Sequence, residues 1–204
     1  MAAGPPSSPS RDFLTAQAQG ILAADFFHID TAWGKHLYAM AFIEHGTRRL
    51  HITGVTAHPT AQWAAQQARN IAADLGERGA EPRILLRDRD NKYTNAFDAV
   101  FTAEDTQMLL SAPRAPRMNA HCERVIGTIR REALDHVLIL GENHARKVLT
   151  DYQDHYNAHR PHQSRQQLPP STTERPATVH DLDDRSLLRT RALGGIINEY
   201  QYAA

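Results

Sequence analysis

One cysteine, Cys122, is all that this 204-residue chain carries. An intrachain disulfide is therefore impossible and a Cys-pair zinc module is excluded, which leaves Cys122 as a packing residue or, alternatively, a catalytic thiol. Long hydrophobic runs are missing too. No apolar stretch approaches membrane-spanning length, and the N-terminus has no basic segment followed by an apolar one, so a cytoplasmic protein is expected. Net charge is absent: 23 Lys and Arg balance 23 Asp and Glu, so composition alone does not announce a nucleic-acid binder. An acidic metal site with a basic rim also sums to zero, and the distribution of charge is more telling than its total. What is present is ordinary for a globular protein, with 41% hydrophobic and 23% charged residues and enough length for one full-sized domain plus tails.

Residues 1–10 are a Pro/Ser-rich stretch that cannot bury a core, and 1–19 is read as a flexible tail. Strands are expected over 20–30, 36–44 and 48–55, the last two joined by the turn His45-Gly46-Thr47. A helix follows over roughly 60–76, with Trp63, Ala64, Ala68, Ile71 and Leu75 on one face and Gly76 and Gly79 stopping it. A short strand at 83–87, a helix at 95–103 and a strand at 106–110 precede a proline-broken loop at 112–117. Two helices are expected at 118–137 and 142–158. The domain should end near Pro169-Pro170, with 171–204 as a C-terminal extension. The order β-β-β-α-β-α-β-α-α predicts an α/β fold, a mixed sheet with helices on its faces.

Three acids stand in contexts that point to a metal. Asp25 is embedded in the apolar run 20–29, Asp88 ends the run Ile84-Leu-Leu-Arg-Asp88, and Glu123 opens the amphipathic helix. A carboxylate in or at the end of a buried strand is costly unless neutralised, and a divalent cation is a common answer. Three such groups converging would suit a two-metal site for phosphodiester chemistry. Asp30 competes with Asp25 and Asp90 with Asp88. Asp25 is preferred for its embedding, Asp88 because it directly follows its strand. On the 118–137 helix, Glu123, Gly127, Arg130 and Arg131 share a face beside the buried stripe of Val125, Ile129, Ala133 and Val137. That line puts a carboxylate, a gap and two guanidiniums together; the plainer alternative is a solvated face with Glu123 paired to arginines. From Arg114 to Arg131, five arginines (114, 117, 124, 130 and 131) accompany the single acid Glu123, a locally basic strip that suits a phosphate backbone. His155, His159 and His162 lack cysteine partners and are interrupted by Pro161, so they read as helix-end and loop histidines with phosphate as a possible contact rather than as zinc ligands.

Four blocks occur in order: Ala-Ala24-Asp25-Phe-Phe, Arg87-Asp88-Arg-Asp-Asn-Lys-Tyr93, Asn119-Ala-His-Cys-Glu123-Arg124 and Tyr156-Asn-Ala-His-Arg160-Pro161-His162-Gln-Ser. Together they resemble the integrase catalytic core of bacterial insertion-sequence transposases, relatives of retroviral integrases. The resemblance covers about residues 20–170 and includes Leu193-Gly-Gly-Ile-Ile-Asn-Glu-Tyr200, and the 35-residue separation of Asp88 and Glu123 agrees with the family's spacing. It implies a ribonuclease-H-like fold, a mixed five-stranded sheet flanked by helices, with Asp25, Asp88 and Glu123 holding two Mg²⁺ or Mn²⁺ ions. It implies metal-dependent DNA cleavage and strand transfer, with Asn119 positioning the site and, with Arg117, Arg124, Arg130 and Arg131, serving the DNA. The partners implied are transposon-end and target DNA, further copies of the chain assembled on it, and a separate helix-turn-helix subunit or a full-length transposase. The setting is cytoplasmic, at the nucleoid when DNA is bound.

Two departures qualify the resemblance. Asp88-Arg89-Asp90 replaces a family Asp-Asn-Gly, removing a tight glycine turn, and few residues precede the first strand, too few for a helix-turn-helix. An inactive remnant that binds DNA or co-assembles with a full-length transposase is therefore the alternative function. A ribonuclease-H-like nuclease for RNA–DNA hybrids would share the acids but not the Asn-Ala-x-x-Glu-Arg and Arg-Pro-His blocks.

Overall fold

Strand β1 (Ile21–Asp30) sends alternate side chains into two separate cores, as a strand covered on both faces must. Ala23, Phe27 and Ile29 enter one core; Leu22 and Ala24 enter the other. The computed structural model describes residues 18–111, 119–165, 167–172 and 187–202. In it β1 pairs antiparallel with β2 (His36–Glu44), which pairs antiparallel with β3 (Leu50–Thr56). On its other side β1 pairs parallel with β4 (Ile84–Arg87), which pairs parallel with β5 (Gln107–Leu110). The result is a five-stranded mixed sheet in the order β3-β2-β1-β4-β5. The Pro/Ser-rich stretch at 1–10 and the loop expected at 112–117 lie outside the described residues.

Helices α1 (Ala61–Glu77) and α2 (Asn95–Thr102) cover one face, burying Ala64, Ala68, Ile71, Leu75, Phe97 and Phe101 against Leu22, Met40, Phe42 and Leu85. Helix α1 starts at Thr60, whose hydroxyl accepts from the Trp63 N–H at 3.2 Å. It runs one residue past Gly76; Gly79, at φ 65°, takes the left-handed position beyond the cap that favours glycine. Helices α3 (Ala120–Glu132) and α4 (Glu142–Ala158) cover the other face with Cys122, Val125, Ile129, Val148, Leu149, Tyr152 and Tyr156. Cys122 is buried and burial pushes its thiol well up, so it packs and does not react.

Helix α3 is shorter than its periodicity predicts. It ends at Glu132, Ala133 leaves helical geometry at φ −132° and ψ −61°, and a 3₁₀ turn covers Leu134–His136, so Val137 falls beyond the helix. The ring of His136 donates to the Arg131 carbonyl at 2.9 Å, which satisfies one of the carbonyls orphaned at the helix end. The β2–β3 turn is longer than expected because the Arg48 N–H donates to the Glu44 carbonyl at 2.8 Å, delaying β3 until Leu50.

Helix α4 also borders the outer strand β3. Asn157 both accepts from the Leu50 N–H at 2.9 Å and donates to the Leu50 carbonyl at 2.8 Å, while Gln153 accepts from the Ile52 N–H. Arg146 donates to the Val55 carbonyl at 3.2 Å, and Glu142 accepts from the Ala57 N–H at 3.3 Å. These four positions recur at helical spacing, so one helix flank satisfies the strand's outward backbone groups. Replacing Asn157 with Ala strips two partners from buried Leu50 and is expected to cost about 1–2 kcal/mol in urea denaturation.

The C-terminal extension contains a hairpin of β6 (Leu187–Ala192) and β7 (Ile197–Tyr202). Leu193, at its turn, joins the α3/α4 core, and Glu199 accepts from the His155 ring at 2.8 Å with His159 at 3.4 Å. These two histidines thus hold the hairpin to α4. Among the described residues no helix is long and apolar enough to cross a membrane.

Candidate active site

Register brings the first two acids together. Strands β1 and β4 run parallel with Ala23 opposite Leu86, and continuing that pairing by two residues sets Asp25 beside Asp88. Both follow side chains of the α3/α4 core, Ala23 and Leu86, so strand alternation aims them at that side of the sheet. Glu123 lies there too, in the first turn of α3, where the positive end of the helix dipole favours a carboxylate.

The Asp25 carboxyl feels both burial and these neighbours. Burial first, then the charges of Asp88, Glu123 and Asp90, raise the Asp25 carboxyl to about 7, opposed only in part by a hydrogen bond from the Phe26 backbone. Among the described residues no three His, Cys, Asp or Glu side chains are drawn tightly enough together to hold an ion. The acids stand near enough to repel one another yet remain separate carboxylates. All are hard oxygen donors, the set that suits Mg²⁺ or Mn²⁺, and a cation would offset the burial and repulsion that suppress ionisation of Asp25.

The competing acids are engaged elsewhere. Asp30 sits at the exposed end of β1, 2.6 Å from the His36 ring. Asp90 holds Lys92 at 2.6 Å and accepts from the Lys92 N–H at 2.9 Å. The glycine missing after Asp88 is replaced by a side-chain turn, in which Asp88 Oδ1 accepts from the Asp90 N–H at 3.1 Å. Arg87, buried, donates to the Asp88 carbonyl at 2.9 Å while its fork grips Asp98 of α2 at 2.7 and 3.0 Å. That anchor for Asp88 was not read from the sequence, although Arg87 directly precedes the acid.

Asn119 is buried. Its side chain does not cap α3; it donates to the Ala24 carbonyl at 3.3 Å and lies 3.5 Å from Asp25 Oδ2, so its contact is with the acid's own strand. Its Oδ1 has no partner among the described residues. Glu123 and Arg124 are exposed, and among the described residues Glu123 forms no ion pair. Arg130 donates to the His28 carbonyl at 2.9 Å, tying α3 to β1, and Arg131 reaches Thr128 at 3.4 Å. A Cβ on Gly127 would come 3.2 Å from the Arg131 guanidinium, so the gap beside Glu123 is bordered by that charge. Arg117 and Arg114 lie outside the described residues. The sequence reading missed Arg48, one of two adjacent turn arginines that no periodicity singles out.

A five-stranded mixed sheet ordered 3-2-1-4-5 with helices on both faces is the fold of a ribonuclease-H-like integrase core. Residues 104–170 match the integrase core domain family. A 91-residue segment is 34% identical to the "insertion element IS476 uncharacterized 39.2 kDa protein" of Xanthomonas euvesicatoria, covering 44% of this chain and 26% of that protein. The chain thus spans about a quarter of the length of this curated relative. A chain of the simian T-cell lymphotropic virus intasome, solved with the PP2A regulatory subunit B56 gamma, shares 14% identity at a TM-score of 0.61, over 91% of this chain and 67% of that one. The HTLV-2 integrase catalytic core, solved with magnesium in a trimeric form, superposes with a TM-score of 0.54 at 12% identity, over 75% of this chain and 94% of that one. These likenesses show the fold.

Proposed function

We propose that this chain is the catalytic core of a transposase that cuts DNA at element ends and joins them to target DNA. The observation that carries the reading is the placement of Asp25, Asp88 and Glu123 toward one side of the sheet, where burial first and then the neighbouring acids raise Asp25 to about 7. Asp25, Asp88 and Glu123 would hold two divalent ions, magnesium or manganese, which when bound supply Lewis acidity at the phosphodiester and a more acidic water or 3′-hydroxyl.

The chain's own residues prepare this site. Asn119 holds the Asp25 strand from the α3 side, and the Arg87–Asp98 pair fixes the backbone that carries Asp88. Glu123 has no ion-pair partner among the described residues and sits on an exposed turn from which it can reach toward the other two. Arg124, Arg130 and Arg131 give the rim a positive charge for phosphate. Joining two ends requires two such sites, so copies of the chain assemble on DNA, with a separate end-recognition module or full-length transposase as a further partner.

The test is metal-dependent nicking and strand transfer on DNA carrying the element's ends, compared between the wild-type chain and Glu123→Gln. Activity equal in both would remove Glu123 from the chemistry. Metal and DNA binding without any nicking, alone or with a full-length partner, would favour the remnant reading. Preferential cutting of RNA–DNA hybrids would redirect it to a ribonuclease.

A further inference from the structure

Beside the first turns of α3, a cavity of about 420 Å³ is lined by Arg48, His121, Arg124, Tyr156, Arg160 and His162. Among the described residues no carboxylate lines it. Arg160 is neutralised by a two-pronged contact with Glu132 at 2.9–3.2 Å. Arg48 and Arg124 have no such partner among the described residues, and one Arg48 guanidinium nitrogen, Nη1, is buried without a hydrogen bond. His162 is 8% exposed, and its Nε2 is likewise buried without a partner. Burying polar and cationic groups unpaired is costly and seldom accidental when several share one cavity.

Two further features point the same way. Arg48 adopts φ 64°, a left-handed conformation that a side-chain-bearing residue seldom takes, and such strain concentrates where a ligand is held. Burial first, then the neighbouring Arg160 and Arg165, depress His162 to about 4, in keeping with a positive cavity.

We infer that this cavity receives a backbone phosphate of a DNA strand, with Arg48 and Arg124 supplying the charge and His162 a hydrogen-bonding wall. The volume falls in the range of small-ligand sites and exceeds what one inorganic anion fills, which favours a phosphate carried on a sugar. Arg124 follows Glu123 directly, so a strand seated here runs on toward the acids. The identity of the strand rests on the transposase reading; the phosphate chemistry of the cavity does not.

The experiment is fluorescence anisotropy of the full chain with labelled duplex DNA in EDTA, where metal-dependent cutting does not run, across a salt series. Arg48→Ala and Arg124→Ala should each weaken binding about tenfold and lower the slope of log affinity against log salt by about one, the signature of one lost phosphate contact. Arg69→Ala, an exposed arginine on α1, should change neither. Circular dichroism checks folding; should Arg48→Ala not fold, Arg48→Lys and Arg124→Ala carry the comparison. Wild-type binding unmoved by these changes, or no DNA binding at all, overturns the inference. Inorganic phosphate raising the melting temperature through Arg48, with DNA affinity unmoved by Arg48 substitution, reassigns the cavity to a free anion and overturns the DNA assignment. Arg48-independent binding beside Glu123-dependent nicking sinks this inference alone. Arg48-dependent binding without nicking leaves it standing and sinks the catalytic reading.

Discussion

Glu123→Gln is expected to lower metal-dependent nicking at least about a hundredfold, the scale on which loss of one charge-stabilising group reduces a rate. The variant should melt within a degree or two of the wild type. Glu123 is exposed in the first turn of α3 and makes no hydrogen bond or ion pair among the described residues, so the isosteric amide breaks no contact. The only structural loss is a modest interaction with the helix dipole. A large drop in rate with unchanged melting isolates the carboxylate's charge as the missing ingredient. A comparable loss of stability would instead make Glu123 a structural residue.

Asp25→Asn should have the opposite signature, stabilising the metal-free chain while removing its response to magnesium. The folded state holds the Asp25 proton up to about pH 7, against 3.8 for an ordinary aspartate. Stability from this group is therefore fully present below about pH 4 and is lost as pH rises toward 7, where folding must place an anion beside Asp88 and Glu123. A shift of that size corresponds to about 4 kcal/mol at its ceiling, and partial solvent access reduces it to about 2–3 kcal/mol. Removing the charge should raise the melting temperature of the metal-free chain by about 4–10 °C at neutral pH. The decline in stability between pH 4 and 7 should flatten in the variant. Added magnesium should raise the melting temperature of the wild type and leave that of Asp25→Asn nearly unmoved. A wild-type chain indifferent to magnesium would remove the metal from this site.

The parts of the fold legible in the sequence were those written in local periodicity. Strand β1 falls where its strongly apolar run puts it, and strand β2 and helix α4 keep their expected bounds, because each buries an apolar set. The end of α3 was not legible: Val137 continues the four-residue spacing, and only the His136–Arg131 contact reveals that the helix has already closed. The candidate acids stood out because a carboxylate within an apolar run is conspicuous. Asp25 and Asp88 could be preferred over their neighbours, and the structure accounts for Asp30 and Asp90 with His36 and Lys92. Arg87's grip on Asp98 and the gathering of Arg48 with His162 were not legible, since both join positions whose separation only the tertiary fold cancels.

The flank of α4 that reaches Leu50, Ile52, Val55 and Ala57 has a consequence for how these molecules meet at high concentration. An unguarded sheet margin invites foreign strands to stack onto it and seed cross-β growth. Here that margin is spoken for by Asn157, Gln153, Arg146 and Glu142, so crowding of many copies on nucleic acid proceeds without templated stacking through β3.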